Sequence, residues 1–257
     1  MENEQQIGPF AAFVLLSSAT WDVEKCRTNL AEDWGIAFSD DACDRSRGNL
    51  VFDVDGMTVV IGLMTTPVPG GEAEHNAATN YLWPDAVETT KKHRAHLLVA
   101  VLGGGHKALE IGTLWVKIVA ACCKQDNALG VYACGTVFEP KYYLAASQAI
   151  RQGELPIYNW VYFGLYPTDA GTSAYTYGLK PFGKDEMEVL NTQARPSDLR
   201  DYLFDLAYYV LSEDVRLNEG ETIGFSEEQK LPIIRSESAV MDGMTLKIGY
   251  PEDYSSH

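Results

Sequence analysis

Three imidazoles fall close together in the chain, His93, His96 and His106, and clustered histidines are the usual start of a metal or acid–base site. Their spacing argues against one. His93 and His96 straddle a helix-to-strand junction instead of sharing a helical face, and no Cys or carboxylate stands at partner spacing. They read as hydrogen-bonded structural residues, because a buried imidazole needs a polar partner to offset its desolvation. Gly103-Gly-Gly-His-Lys107 lies between a predicted strand and a predicted helix, where backbone N–H groups can cradle an anion. It has neither the phosphate-loop pattern nor the spaced glycines of a dinucleotide fingerprint, and a flexible turn accounts for it. Gly104, Gly105, His96 and His106, with Trp83 as an aromatic wall, form the ligand-binding alternative.

Nucleophiles are present without a setting. Ser17, Ser18 and five cysteines occur, but no Gly-x-Ser-x-Gly elbow or comparable signature does. Glu186 and Glu188 alternate about Met187, so on a strand both project to one face, about 7 Å apart. Paired carboxylates serve glycoside hydrolysis, yet nothing here implies a pocket, and structural or surface use is the simpler account. No catalytic set, metal or cofactor is expected. A second acidic series is Asp198, Asp201 and Asp205, spaced by three and four along a predicted helix whose buried stripe is Leu199, Tyr202, Leu203, Leu206, Ala207 and Val210. Ser197 is the expected N-cap, and carboxylates in a first turn suit the positive helix start. Asp205 lies beyond that first turn.

These residues hang on a predictable framework. Residues 10–18 read as a strand and 22–34 as an amphipathic helix. Strands at 50–54 and 57–64 flank Asp55-Gly56, a two-residue hairpin turn needing positive φ twice. After the loop Pro67-Val-Pro-Gly-Gly71, a helical segment at 72–93 is interrupted at Trp83-Pro84, and 96–102 is a buried strand. Gly178 and Gly183 bracket a turn whose Phe182 plugs the core. The order β-α-β-β-α-β is that of a split βαβ or ferredoxin-like unit. A densely apolar helix at 108–123 is expected to be buried and to bridge two halves. The second half has strands near 128–137, 158–166, 173–180, 186–190 and 244–250, with helices at 141–151 and 198–212. The expected fold is α+β: one compact domain over 1–257, with related halves at 8–105 and 125–250 sharing a core.

Composition narrows the function. Hydrophobic residues make up 46% and charged residues 22% of 257, enough for a sizeable core. The formal charge of −16 opposes nucleic acid and anionic lipid and favours a basic protein partner. From Pro181 onward there are 16 Asp/Glu against 7 Lys/Arg, so the excess concentrates toward that end. The odd cysteine count, without a Cys-x-x-Cys pair, suggests reduced thiols. Residues 10–16 are too short an apolar run to span a bilayer, and the first residues are acidic where a secretion signal is basic. Cytoplasmic residence is expected.

Several segments carry a resemblance: Met64-Thr-Thr-Pro-Val-Pro69, Trp83-Pro84, His93-Arg-Ala-His-Leu-Leu-Val99, Gly130-Val-Tyr132, Leu155-Pro156, Thr176 to Val189, the run Leu199 to Val210, and Gly220-Glu-Thr-Ile-Gly-Phe225. In their order and spacing the chain resembles a bacterial family known as domain of unknown function 4261, a resemblance that implies no activity. The last third is also similar to Suppressor-of-fused-like domains, which implies, by analogy, an immunity role in bacterial toxin systems. The function expected is that of a non-enzymatic binding protein, an immunity-type inhibitor meeting a basic toxin or effector through Asp198, Asp201, Asp205, Glu186 and Glu188.

Overall fold

The computed structural model describes residues 9–39, 43–44, 49–224, 229–251 and 254. The side chain of Cys43 and residues 225–228 of the Gly220–Lys230 segment lie outside the described residues. The architecture is α+β, and the chain divides after Trp160 into two units.

The first unit contains, in chain order, β1 (Phe10–Leu16), α1 (Val23–Trp34), β2 (Cys43–Asp44), β3 (Asn49–Val54), β4 (Met57–Met64), α2 (Glu72–Ala77), α3 (Ala86–Thr90), β5 (Ala95–Leu102), α4 (Ala108–Cys123), β6 (Ala128–Ala133), β7 (Thr136–Phe138), α5 (Pro140–Ala146) and α6 (Ile157–Trp160). Its strands make one antiparallel sheet ordered β2-β3-β4-β5-β1-β6-β7. The β3–β4 hairpin forms as its Asp-Gly pair demands, with φ of 50° at Asp55 and 82° at Gly56. The register places Val14, Leu97, Ile61 and Leu50, all fully buried, on the face that meets α4, where Phe10 packs on Trp115 with ring centroids 6.2 Å apart. Leu15 points to the other face, into a cluster with Val68, Ala73, Ala77, Ala86 and Val137, flanked by Phe13 and Trp83.

Two expectations change here. The element order β-α-β-β-α-β is present, but β4 pairs with β5, so β1 does not insert beside the hairpin as a split βαβ requires. The segment joining β4 to β5 folds as short helices over β6 and β7, instead of one crossover helix lying on β1 and β4. The helix at 108–123 is buried as predicted, yet its partners β1, β5, β6 and α1 belong to this same unit. Because β6 and β7 extend the first sheet from β1, residues 128–138 fall with the first unit and not with a second half.

The second unit contains β8 (Tyr162–Thr168), β9 (Gly171–Tyr177), β10 (Met187–Thr192), α7 (Pro196–Ser212), β11 (Thr222–Ile223), β12 (Leu231–Glu237) and β13 (Met244–Ile248). Its sheet runs β11-β12-β13-β10-β9-β8, antiparallel except for the parallel pair β10–β13. The last strand thus sits between β12 and β10. Helix α7 packs on β8 and β9 through Leu199, Tyr202, Leu203, Leu206, Ala207 and Val210, the predicted stripe. Its start differs from expectation. Pro196 occupies the first helical turn, where its missing N–H costs nothing, which moves the N-cap position to Arg195 and puts Ser197 inside the helix.

Candidate functional site

The histidines do not converge. His93 is fixed on both ring nitrogens: Nε2 accepts from the Val68 N–H at 2.9 Å, and Nδ1 lies 2.6 Å from the Thr90 carbonyl, to which it donates. His96 Nδ1 donates to the Thr66 carbonyl at 3.0 Å, its ring stands edge-on to Phe13, and burial lowers its pKa. Trp83 flanks the same apolar cluster as Phe13. His106 lies beyond the opposite end of β5, about 20 Å from His96 at the rise of an extended strand. The ligand-binding set of the sequence reading is therefore split between two ends of the sheet.

The glycine loop is shaped by packing. A Cβ on Gly103 would lie 2.1 Å from Ile111 Cδ1, so glycine is what lets the loop close onto α4. Gly104 and Gly105 face open space. The start of α4 already holds an anion of its own, since Glu110 accepts from the Lys107 N–H at 3.0 Å. The thiols of Cys122 and Cys123 are poor nucleophiles. Cys26 and Cys122 lie 3.8 Å apart and fully buried, the contact and burial hold Cys122 protonated, and burial pushes Cys123 up to about 12. Ser18 Oγ is engaged by Asn127 and Thr20. Among the described residues no group of three or more His, Cys, Asp or Glu is placed to hold a metal ion.

Glu186 and Glu188 are internal, at 2% and 0% exposure, which removes them from any docking surface. Glu186 Oε1 accepts from the N–H groups of Gly178, Leu179 and Lys180 at 2.8, 2.9 and 3.3 Å, and Oε2 from the Thr176 hydroxyl at 2.8 Å. Burial raises its pKa and these donors oppose the rise. The carboxylate holds the turn that Gly178 and Gly183 bracket and that buries Phe182. Glu188 pairs with Lys247 across β10 and β13 at 3.2 Å and accepts from Ser238 and the Ala239 N–H. Both glutamate side chains are consumed in fixing loops onto the sheet.

The aspartates of α7 are half-buried and individually engaged. Asp198 receives two hydrogen bonds from the Arg195 guanidinium, at 2.8 and 2.9 Å, which hold its carboxyl below the usual range. Asp201 receives Arg200, and Asp205 accepts from the Tyr254 hydroxyl at 2.6 Å. Tyr254, Tyr250 and Tyr202 form a mutual edge-to-face cluster that lays the end of the sheet against α7. Exposed carboxylates also lie past the helix. A small cavity of about 250 Å³ is lined by Leu206, Tyr209, Thr222, Ile223 and Gly224, with Tyr209 at 43% exposure, and the chain between α7 and β11 carries the exposed Glu213, Glu219 and Glu221, the last accepting from Asn218. Glu213 stands one helical turn after Tyr209, and Glu221 directly precedes β11. Tyr209 lies outside the buried stripe of α7, and its place beside this cavity depends on Thr222 to Gly224, remote in the sequence.

The first unit holds a larger cleft, about 690 Å³, between the end of α1, the β3–β4 turn and the first half of α4, with His106 in its wall.

The fold and these sites define an α+β protein whose most conspicuous carboxylates serve structure and whose accessible features are recesses edged by acid. Residues 175–249 match the model of a family described as a domain of unknown function, DUF4261, so the resemblance holds for the greater part of the second unit. The segments quoted from residues 64–156 lie outside the matched range. No curated protein and no solved structure matches the chain. No helix among the described residues is long and apolar enough to cross a membrane.

Proposed function

We propose that this is a non-enzymatic protein-binding protein that engages a basic partner, as an immunity-type inhibitor of a bacterial toxin or effector would. The observation that carries the reading is the exposed Tyr209 in the lining of the cavity of α7 and β11, with the exposed Glu213, Glu219 and Glu221 in the chain that joins those two elements. A partly exposed aromatic anchor next to an apolar recess, with charge at the rim, is the composition of a recognition site. The rim carboxylates steer a cationic surface and meet its Arg or Lys side chains. Asp198, Asp201 and Asp205 contribute to the field of this face, while their existing partners limit what they add by direct contact. The Suppressor-of-fused-like likeness points the same way by analogy alone.

The test is titration calorimetry with a basic toxin effector domain, chosen from the genes that neighbour the one encoding this protein. Nanomolar binding is expected, weakened about tenfold between 50 and 300 mM salt. Tyr209→Ala and the double change Glu213→Lys with Glu219→Lys should each weaken it at least about tenfold. Charge reversal at Asp201 and Asp205 should lower affinity less. Absence of binding, or binding indifferent to salt and to these changes, refutes the reading.

A further inference from the structure

The cleft of the first unit has a composition that selects its occupant. One wall is polarisable, made by the Trp34 indole, the Met57 thioether and Leu109, and one face of that indole is already taken by the Arg151 guanidinium, 5.2 Å from the ring centroid and paired with Asp33. Its charged lining is Asp53, Asp55 and Glu110 against one ammonium, Lys117. Asp55 stands exposed at the tip of the β3–β4 turn. Glu110 already neutralises the start of α4 through the Lys107 N–H and has one oxygen 3.5 Å from His106 Nδ1. The glycine loop beside it is thus no anion cradle, since a carboxylate occupies the helix start where a phosphate would bind. A chain of formal charge −16 deepens the same preference. The volume is that of a small-molecule site, well within the usual ~300–1,000 Å³.

We infer that this cleft binds an aromatic organic cation, with the ring against Trp34 and Met57 and the amine among Asp55, Asp53 and Glu110. Indole and thioether surfaces favour an aromatic ring over an aliphatic chain, and carboxylates near a low-dielectric wall favour a cation over a neutral analogue. His106, held between the β3–β4 turn and Glu110, forms the end of the site. Its Nε2 lies 3.3 Å from where a Cβ on Gly56 would stand.

The experiment is a two-dimensional 1H–15N NMR titration of the full chain with tryptamine, and with indole-3-acetate as the same ring bearing the opposite charge. Trp34→Phe assigns the indole signal among five tryptophans. Tryptamine is expected to move the Trp34 indole N–H and the amides of residues 54–57 and 106–110 saturably, with indole-3-acetate binding at least about tenfold more weakly. Asp55→Asn should weaken tryptamine at least about threefold without disturbing the hairpin, because Asn-Gly suits the turn as well as Asp-Gly. Glu110→Gln should act in the same direction. Equal response to the two probes, shifts confined to other regions, or an affinity unchanged in both variants overturns the inference. The rim around Tyr209 takes no part in this titration, so the result leaves the proposal for a protein partner standing or falling on its own test.

Discussion

At the scale of single residues, the internal carboxylate Glu186 and the internal imidazole His96 make opposite statements about pH. Burial raises the pKa of Glu186, so its contribution to stability is fully present below the ordinary value of 4.5 and is lost as pH rises through the raised one. Burial lowers the pKa of His96, so its contribution is present above 6.5 and is lost as pH falls through the lowered one. Urea unfolding from pH 4 to 8 should show the advantage of the wild type over Glu186→Gln narrowing as pH rises. Its advantage over His96→Gln should narrow as pH falls below 6.5. Glu186→Ala removes the acceptor from three N–H groups and a hydroxyl at once and should cost about 2–4 kcal/mol at the acidic end of that range. The alternation about Met187 is broken by the structure, since strand β10 begins at Met187 and leaves Glu186 before it. The burial of Glu188 depends on the 238–239 turn and on Lys247, about fifty to sixty residues further along the chain, which local sequence does not reveal.

At the scale of elements, local chemistry was readable wherever a turn or a helix settles itself. Asp55-Gly56 announced the hairpin, and the apolar density of 108–123 announced a buried helix. Strand β12 escaped because Pro232 weakens its signature, and because only Ile233 among its side chains is buried. The predicted strand at 158–166 begins late, at Tyr162, since residues 157–160 complete a helical turn after Pro156. The loop before α4 offers a sharp check on packing. Gly103→Ala must displace the buried Ile111 side chain and should cost about 1–3 kcal/mol, while Gly104→Ala, facing open space, should change stability by under about 1 kcal/mol. Thermal unfolding of the two variants side by side measures the difference.

At the scale of the whole molecule, the excess of carboxylates acts on stability and on association with opposite sign. Self-repulsion at a formal charge of −16 is relieved by salt, so the unfolding midpoint should rise between 10 and 300 mM sodium chloride in calorimetry. Capture of a basic partner should weaken over the same range. Sheet topology was the part of the fold least legible in the chain, because pairing is decided by contacts remote in sequence, and the parallel pair β10–β13 is the extreme case. During synthesis the earlier strands β8, β9 and β10 emerge from the ribosome well before residues 244–248, and β12 likewise waits for them. Until that final strand arrives the nascent sheet is two separate ribbons with raw borders, and Glu188 has no ammonium beside it. The sheet of this unit is therefore completed from its middle, by the strand that leaves the ribosome after all of its neighbours.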